Sequence, residues 1–545
     1  MGADIDVGPG AADHAAAVPA SPQIFWVAET IAGKVLGIDN DGIKEFKGVP
    51  YGASTEGRGR FAPPRPPTPW TGVREAIGYG PISPQTTADI RADFGQLVMW
   101  DRHVGLGGMG EDCLNLNIWT PGLDAARRAV MVSFHGGGWV SGSGNGPMYD
   151  GVNLAKFGDV VVVTVNHRLA ALGCLHLASL PDAPPELADA GAVSVADMVA
   201  ALEWVQGNIA AFGGDPGRVM IFGQDGGGSK VSTLLATPSA KGLFHRAAIQ
   251  SGSTLRQFTP ADAAPTTAQL LAALGGGGYA ALASAPWTAL LQAQTDSLWH
   301  GGKFAPVIGG ATLPQHPFDP TAPAQSADVP LIISTTLEDA AHKLINFNLD
   351  AAGLQQAIAQ IAPGQAQAIT QMYVDANPGT SPYLIQAQAL TDAGARRDAI
   401  VQAERRVALG GAPTWMYIWA WAAPAYDGKF GAVEGHDVDA SFHIVRSPIA
   451  GAGSTAGRLL VDRLASAWVA FAKTGDPNTP AIPHWPAYDV AARATMIFDT
   501  ATRVENDPRK AFRELWAQGA HNAKAPAPTA APSPAARPPP PASAG

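Results

Sequence analysis

Cysteine is scarce. Only Cys113 and Cys174 occur, so the chain can form one disulfide at most, and their spacing matches no metal-binding pattern. Both are expected as buried free thiols. Charge is also sparse: 15% of residues are charged, the net charge is −10, and no Lys/Arg run provides the basic stripe that nucleic acid requires. No apolar run reaches the ~18–20 residues that cross a bilayer. The strongest, Val160 to Val165, is short and β-branched and reads as a buried strand. Metal, nucleotide and flavin motifs are absent, and the glycine run Gly275 to Gly278 precedes no phosphate-binding pattern, so no cofactor is expected. Residues 1–22 lack the basic and apolar regions of a signal peptide. A cytoplasmic protein is expected on that ground, or a secreted one if the N-terminus was trimmed. Nothing in the sequence sets an oligomeric state.

What is present suits one large globular body. The hydrophobic fraction of 46% can bury an extensive core. Residues 1–22 and 523–545 are rich in Ala, Pro, Gly and Ser and are expected as disordered ends, leaving a single α/β domain over 23–522. Lys34 to Ile38 and Ile43 to Phe46 read as an N-terminal hairpin. Ala129 to Phe134, Val160 to Val165, Val219 to Phe222, Ala247 to Gln250 and Pro330 to Ser334 read as strands. A helical period runs from Val193 to Phe212, and Lys230 to Ala236 opens another helix. This alternation predicts a mostly parallel central sheet flanked by helices.

One further absence is the most informative. Residues 221–228 read Ile-Phe-Gly-Gln-Asp-Gly-Gly-Gly, with Gly223 and Gly227 framing a sharp strand-to-helix elbow. Such an elbow presents a nucleophile above an α/β-hydrolase sheet. A serine is expected at its apex, and the chain has Asp225 there.

The surrounding motifs resemble a known family. They are Phe46-Lys47-Gly48-Val49-Pro50-Tyr51, Glu111-Asp112-Cys113-Leu114, His135-Gly136-Gly137-Gly138-Trp139, Asn166-His167-Arg168-Leu169, Gln250-Ser251-Gly252, Gly475-Asp476-Pro477-Asn478 and His484-Trp485-Pro486. In that order they resemble the type-B carboxylesterases, which include bacterial para-nitrobenzyl esterases and cholinesterases. The resemblance implies the α/β-hydrolase fold, a small-molecule ester substrate and no cofactor. It also implies an oxyanion hole made by Gly137, Gly138 and Gly226, and pocket positions at Trp139 and Gln224.

Catalytic partners follow in the order nucleophile, acid, histidine. Alignment with the family's acidic loop puts the acid at Asp339, with Glu338 as the alternative, otherwise a solvated loop carboxylate. The histidine is expected at His436, with His443 as its competitor. Ser229, one helical turn past Asp225, is expected to point away from the oxyanion hole. An aspartate at the elbow is ionised at neutral pH. It would hold His436 as imidazolium between two carboxylates and impair its use as a base. Three outcomes are open: an inactivated or reworked serine carboxylesterase, a binding protein that kept the pocket, or an aspartate-nucleophile hydrolase of the dehalogenase or epoxide-hydrolase type.

Overall fold

The computed structural model describes residues 23–86, 106–422, 424–445 and 453–519. The segments expected to be disordered, 1–22 and 523–545, lie outside the described residues. A single sheet organises the rest. In chain order its strands are β1 (Phe25–Thr30), β2 (Gly33–Asn40), β3 (Ile43–Pro50), β4 (Val73–Glu75), β5 (Asn115–Thr120), β6 (Arg128–Phe134), β7 (Val161–Val165), β8 (Gly214–Gln224), β9 (Arg246–Gln250), β10 (Leu331–Thr336), β11 (Thr414–Trp419), β12 (Ala494–Phe498) and β13 (Arg503–Asn506). They lie in the order β1-β2-β3-β5-β7-β6-β8-β9-β10-β11-β12-β13, with β4 beside β2.

The run from β7 through β12 is parallel, and the strands beyond it on both sides pair antiparallel, except that β4 lies parallel to β2. The central strands are buried on both faces, which is why they read as continuous apolar runs rather than alternations. Val132, Val163, Ile221, Ile249 and Ile333 face one core, which takes Met198, Leu202 and Val205 from the helix Val193–Asn208. The intervening residues Met131, Val162, Met220, Ala248 and Ile332 face the other, which takes Leu464, Trp468 and Phe471 from the helix Thr455–Thr474. Each fully buried side chain of this size stabilises the fold by roughly 1.5–3 kcal/mol. The period of two along each strand thus sorts the side chains into two cores and fixes register.

The predicted hairpin is β2 and β3, and β1, not foreseen from sequence, pairs antiparallel with β2. The helical period over Val193 to Phe212 divides into an α-helix to Asn208 and a 3₁₀ turn, Ile209–Phe212, that ends at Gly213 with φ of 75°. Cys113 and Cys174 are buried free thiols. Burial pushes the Cys113 thiol up to about 12. No described helix is long and apolar enough to cross a membrane.

A buried ion pair fastens the core to the N-terminal loops. Arg168 and Asp197 are both fully buried and joined at 2.6 Å. The same guanidinium donates to the carbonyls of Gly59, Arg60 and Ala62. Each guanidinium nitrogen of Arg168 therefore has a partner inside the protein.

Candidate active site

The site forms at the carboxyl edge of the parallel strands, where open α/β sheets hold their ligands. β8 ends at Gln224, Asp225 turns with φ of 55° and ψ of −121°, and the helix Gly226–Leu235 begins at once. That turn needs glycine on either side. A Cβ on Gly223 would lie 2.6 Å from both the Gly227 carbonyl carbon and the Phe134 oxygen, and one on Gly227 would lie 2.1 Å from the Phe134 oxygen. Close backbone contact therefore holds Asp225 in a conformation that costs a non-glycine residue roughly 1–3 kcal/mol. The Asp225 amide is anchored to the Gln250 carbonyl at 3.0 Å.

The loop after β6 meets this turn. Gly137 and Gly138 have φ of 91° and 59°. Their amides both donate to one carboxylate oxygen of Asp225, at 2.7 Å from Gly137 and 3.2 Å from Gly138. Gly226 packs flat against Gly138, where a Cβ would come within 2.3 Å of the Gly138 nitrogen. The three glycines expected to form the oxyanion hole are thus together, and the elbow carboxylate occupies the two donors that face it.

The residues expected as acid and histidine follow the next strands. Asp339 follows β10 and is buried. Its carboxylate accepts from the Ser251 hydroxyl at 2.6 Å and the Thr336 amide at 3.1 Å. Burial, and after it the Glu434 carboxylate, push the Asp339 carboxyl up to about 7. His436 follows β11 and is buried, its ring stacked on Trp421 with centroids 5.3 Å apart. Trp419 meets the same ring edge-on.

The alternatives face elsewhere. Glu338 is not the solvated loop carboxylate that sequence suggested. It is buried and accepts from the Gln388 amide at 2.7 Å and the Ala432 backbone amide at 2.8 Å, fastening the histidine loop to the end of β10. His443 bonds Asp462 at 2.8 Å and stacks on half-exposed Phe157, away from the elbow. The Ser229 hydroxyl accepts the Trp139 indole N–H at 3.2 Å, so both side chains are turned toward each other. Trp139 is buried.

Sequence reasoning missed a polar chain behind the site. Gln224 donates to Glu434 at 2.9 Å, and the other Glu434 oxygen lies 2.7 Å from the His342 ring nitrogen. Gln224 therefore ties the elbow to the histidine loop. Burial works against charging His342, yet the facing Glu434 raises its pKa above the ordinary value. Glu434 lies two residues before His436 and His342 three after Asp339, and only the folded loops reveal that the pair meets. Lys230 was also missed as a site residue. It is fully buried, and its ammonium donates to the carbonyls of His135 at 2.7 Å and Gly138 at 3.0 Å.

This sheet, flanked by helices and carrying the elbow and glycine loop at its carboxyl edge, defines an α/β-hydrolase. The carboxylesterase family profile matches residues 24–516, so the chain belongs to the carboxylesterase family. It is 34% identical over 499 residues to the para-nitrobenzyl esterase of Bacillus subtilis, spanning 90% of this chain and 98% of that protein. It is 32% identical over 503 residues to the phenmedipham hydrolase of Pseudarthrobacter oxydans, spanning 88% and 97%. Among solved structures, a carboxylesterase of Geobacillus stearothermophilus superposes with a TM-score of 0.76 at 33% identity, covering 90% of this chain and 99% of that one. The relatives are carboxylic ester hydrolases, and the expected fold class holds.

Proposed function

We propose that this chain is a serine carboxylesterase scaffold, acting on small-molecule esters by descent, in which Asp225 stands at the nucleophile's position and blocks acyl transfer. One observation carries the reading: an Asp225 oxygen sits on the amides of Gly137 and Gly138. Those are the donors an ester's developing oxyanion needs. The carboxylate fills the hole from within, so a substrate carbonyl must displace it before any chemistry begins.

Attack would fare poorly even after displacement. A carboxylate oxygen adding to an ester carbonyl gives a tetrahedral adduct with two departure routes. Expelling the alkoxide makes a mixed anhydride; expelling the carboxylate restores the reactants. The carboxylate is much the weaker base, so the adduct reverts. With serine at the same place, His436 would take the hydroxyl proton as the oxygen attacks, and the Gly137, Gly138 and Gly226 amides would hold the new oxyanion. Asp339 would orient His436. His436 would then return the proton to the leaving alkoxide, and water would release the acid.

The test is hydrolysis of short para-nitrophenyl esters by the parent chain and by Asp225→Ser. The expected result is turnover confined to the serine variant. Stoichiometric alkylation of Asp225 in the parent by a haloalkane or epoxide, followed by product release, would instead make Asp225 a working nucleophile and overturn the proposal. A parent and serine variant that both bind esters without turnover would point to a binding protein.

A further inference from the structure

A second hollow lies apart from the elbow. Its volume is about 410 Å³, within the range that holds a small organic molecule. His176, Glu186 and Asp189 line it beside an apolar stretch of Pro260, Val307 and Ile308. No residue placed above at the elbow, the glycine loop, or the acid and histidine loops lines it.

Its walls are fastened to one another. The Val307 amide donates to the Gly191 carbonyl at 3.0 Å, and the Ile308 amide to the Phe258 carbonyl at 2.8 Å. The Thr267 hydroxyl donates to the His176 carbonyl at 3.2 Å. Asp189 Oδ2 accepts from the Thr312 amide at 2.7 Å and the Thr312 hydroxyl at 2.6 Å. The hollow is therefore preformed, with four separate stretches of chain holding its shape.

The polar groups facing it are unspent. Asp189 Oδ1 lies where Gly310 has no side chain; a Cβ there would be 1.5 Å from it. Neither that oxygen nor the exposed Glu186 carboxylate has a hydrogen-bonding or ionic partner among the described residues. No Lys or Arg is among the described residues that line the hollow. His176 is only 9% exposed. Its ring nitrogens have no partner among the described residues, yet they are not sealed from solvent as Nε2 of His167 is. Burial holds its imidazole below the ordinary value, which leaves one nitrogen an acceptor at neutral pH. A polar nitrogen this far from bulk water is costly without a hydrogen bond, and the hollow is where its partner can sit. Two carboxylates without a lining cation favour a positive occupant. Among the described residues no three acidic or imidazole groups come close enough to hold a metal ion. The acids and the imidazole thus serve separate parts of one larger molecule.

We propose that this hollow binds an organic ammonium ion: Asp189 and Glu186 take the cationic end, Val307, Ile308 and Pro260 cover an apolar body, and His176 accepts a hydrogen bond from a donor at the far end. The inference does not rest on the chemistry of residue 225.

Isothermal titration of the full chain with tyramine at neutral pH tests it, since tyramine carries an ammonium, a ring and a phenolic hydroxyl. The parent should bind it saturably with a Kd of ~1 mM or below. Tyrosol, which has a hydroxyl in place of the ammonium, and 4-hydroxyphenylacetate, which reverses the charge, should bind at least ~10-fold more weakly. Glu186→Gln and Asp189→Asn should each weaken tyramine by ~10-fold. Phenethylamine, which lacks the phenolic hydroxyl, should bind the parent more weakly than tyramine, and His176→Phe should erase that difference. Ala178→Lys covers variants that fold poorly: it alters an exposed lining position, sets a competing ammonium at the rim and should abolish binding. The rival site is the elbow, which also carries carboxylates. Tyramine binding that survives Glu186→Gln and Ala178→Lys but is lost in Asp225→Asn would put the cation there and overturn the proposal. Equal binding of tyramine and tyrosol, or no saturable heat up to ~20 mM tyramine, would overturn it as well.

Discussion

Replacing Asp225 by serine and, separately, by glycine divides the proposed block into two parts. In the parent, an Asp225 oxygen holds amides at 2.7 and 3.2 Å. Hydrogen bonds to a charged group contribute about 1.5–3 kcal/mol each, so the pair amounts to ~3–6 kcal/mol. An ester carbonyl entering the hole must replace that. At ~1.4 kcal/mol per factor of ten, self-occupancy lowers access by roughly 10²–10⁴. Glycine removes this obstacle without supplying a nucleophile, and serine removes it and supplies one. A triad nucleophile is worth up to ~10⁶ in kcat. Both variants should therefore bind an ester or a boronic acid more tightly than the parent. Only the serine variant should release para-nitrophenolate with an initial burst, and mass spectrometry should find the acyl group on the peptide containing residue 225. The elbow backbone is held by Gly223, Gly227 and Phe134, so both variants should keep the parent's circular dichroism. A folded serine variant no faster than the glycine variant would refute the argument, because every other part of the machinery would then be present without effect.

In the serine background, His436→Ala should abolish turnover and Asp339→Asn should lower it strongly, while Glu338→Gln and His443→Ala cost less in kcat. A larger loss from Glu338→Gln would move the acid role to that residue. Asp339 must be ionised to orient His436, so activity in that background should fall as pH drops through about 7, the value to which burial and then Glu434 push its carboxyl. Glu434→Gln removes the neighbouring negative charge and should shift that acidic limb to lower pH; a limb that stays put or rises would rule out the coupling. The stability sign runs the other way. A carboxyl that holds its proton longer when folded loses stability as pH rises between its ordinary value and about 7, so Asp339→Asn should melt higher than its parent above that range. Finally, Asp197→Asn leaves the fully buried Arg168 charge unanswered and should cost about 3–5 kcal/mol in denaturant unfolding. A loss below ~1 kcal/mol would mean that the carbonyls of Gly59, Arg60 and Ala62 suffice for Arg168.

Legibility in the sequence followed the range of the signal. The central strands were readable because β-branched runs such as Val161–Val165 carry their burial in their own composition. The elbow and the glycine loop were readable because tight turns demand glycine at fixed spacing. Flanking strands such as β1 were not, since Phe25, Val27 and their neighbours gain their place by pairing with β2, a contact that leaves no local period. The same limit hid the polar chain. Gln224, Glu434 and His342 are separated by about a hundred residues or more, and each alone looks like a surface side chain. Glu338 was misjudged for the converse reason: its acidic loop reads as solvated, and only the docking of Ala432 and Gln388 buries it. Lys230 follows a run of small residues in what reads as an ordinary amphipathic helix, and nothing local announces that its ammonium ends under the glycine loop.

The glycine packing at the elbow has a consequence for the life of the protein in a cell. The backbone cost at residue 225 is met by Gly223, Gly227 and the Phe134 carbonyl, none of which touches the chemistry of the side chain. Chains differing only at 225 should thus keep one backbone at the elbow, and differ in stability through the side chain's own hydrogen bonds to Gly137 and Gly138. Quality control monitors exposed apolar surface and unfolded fraction, and neither reports whether residue 225 can act as a nucleophile. Abundance is therefore no guide to activity here: what the cell measures at this position is folding, not the ability of residue 225 to attack an ester.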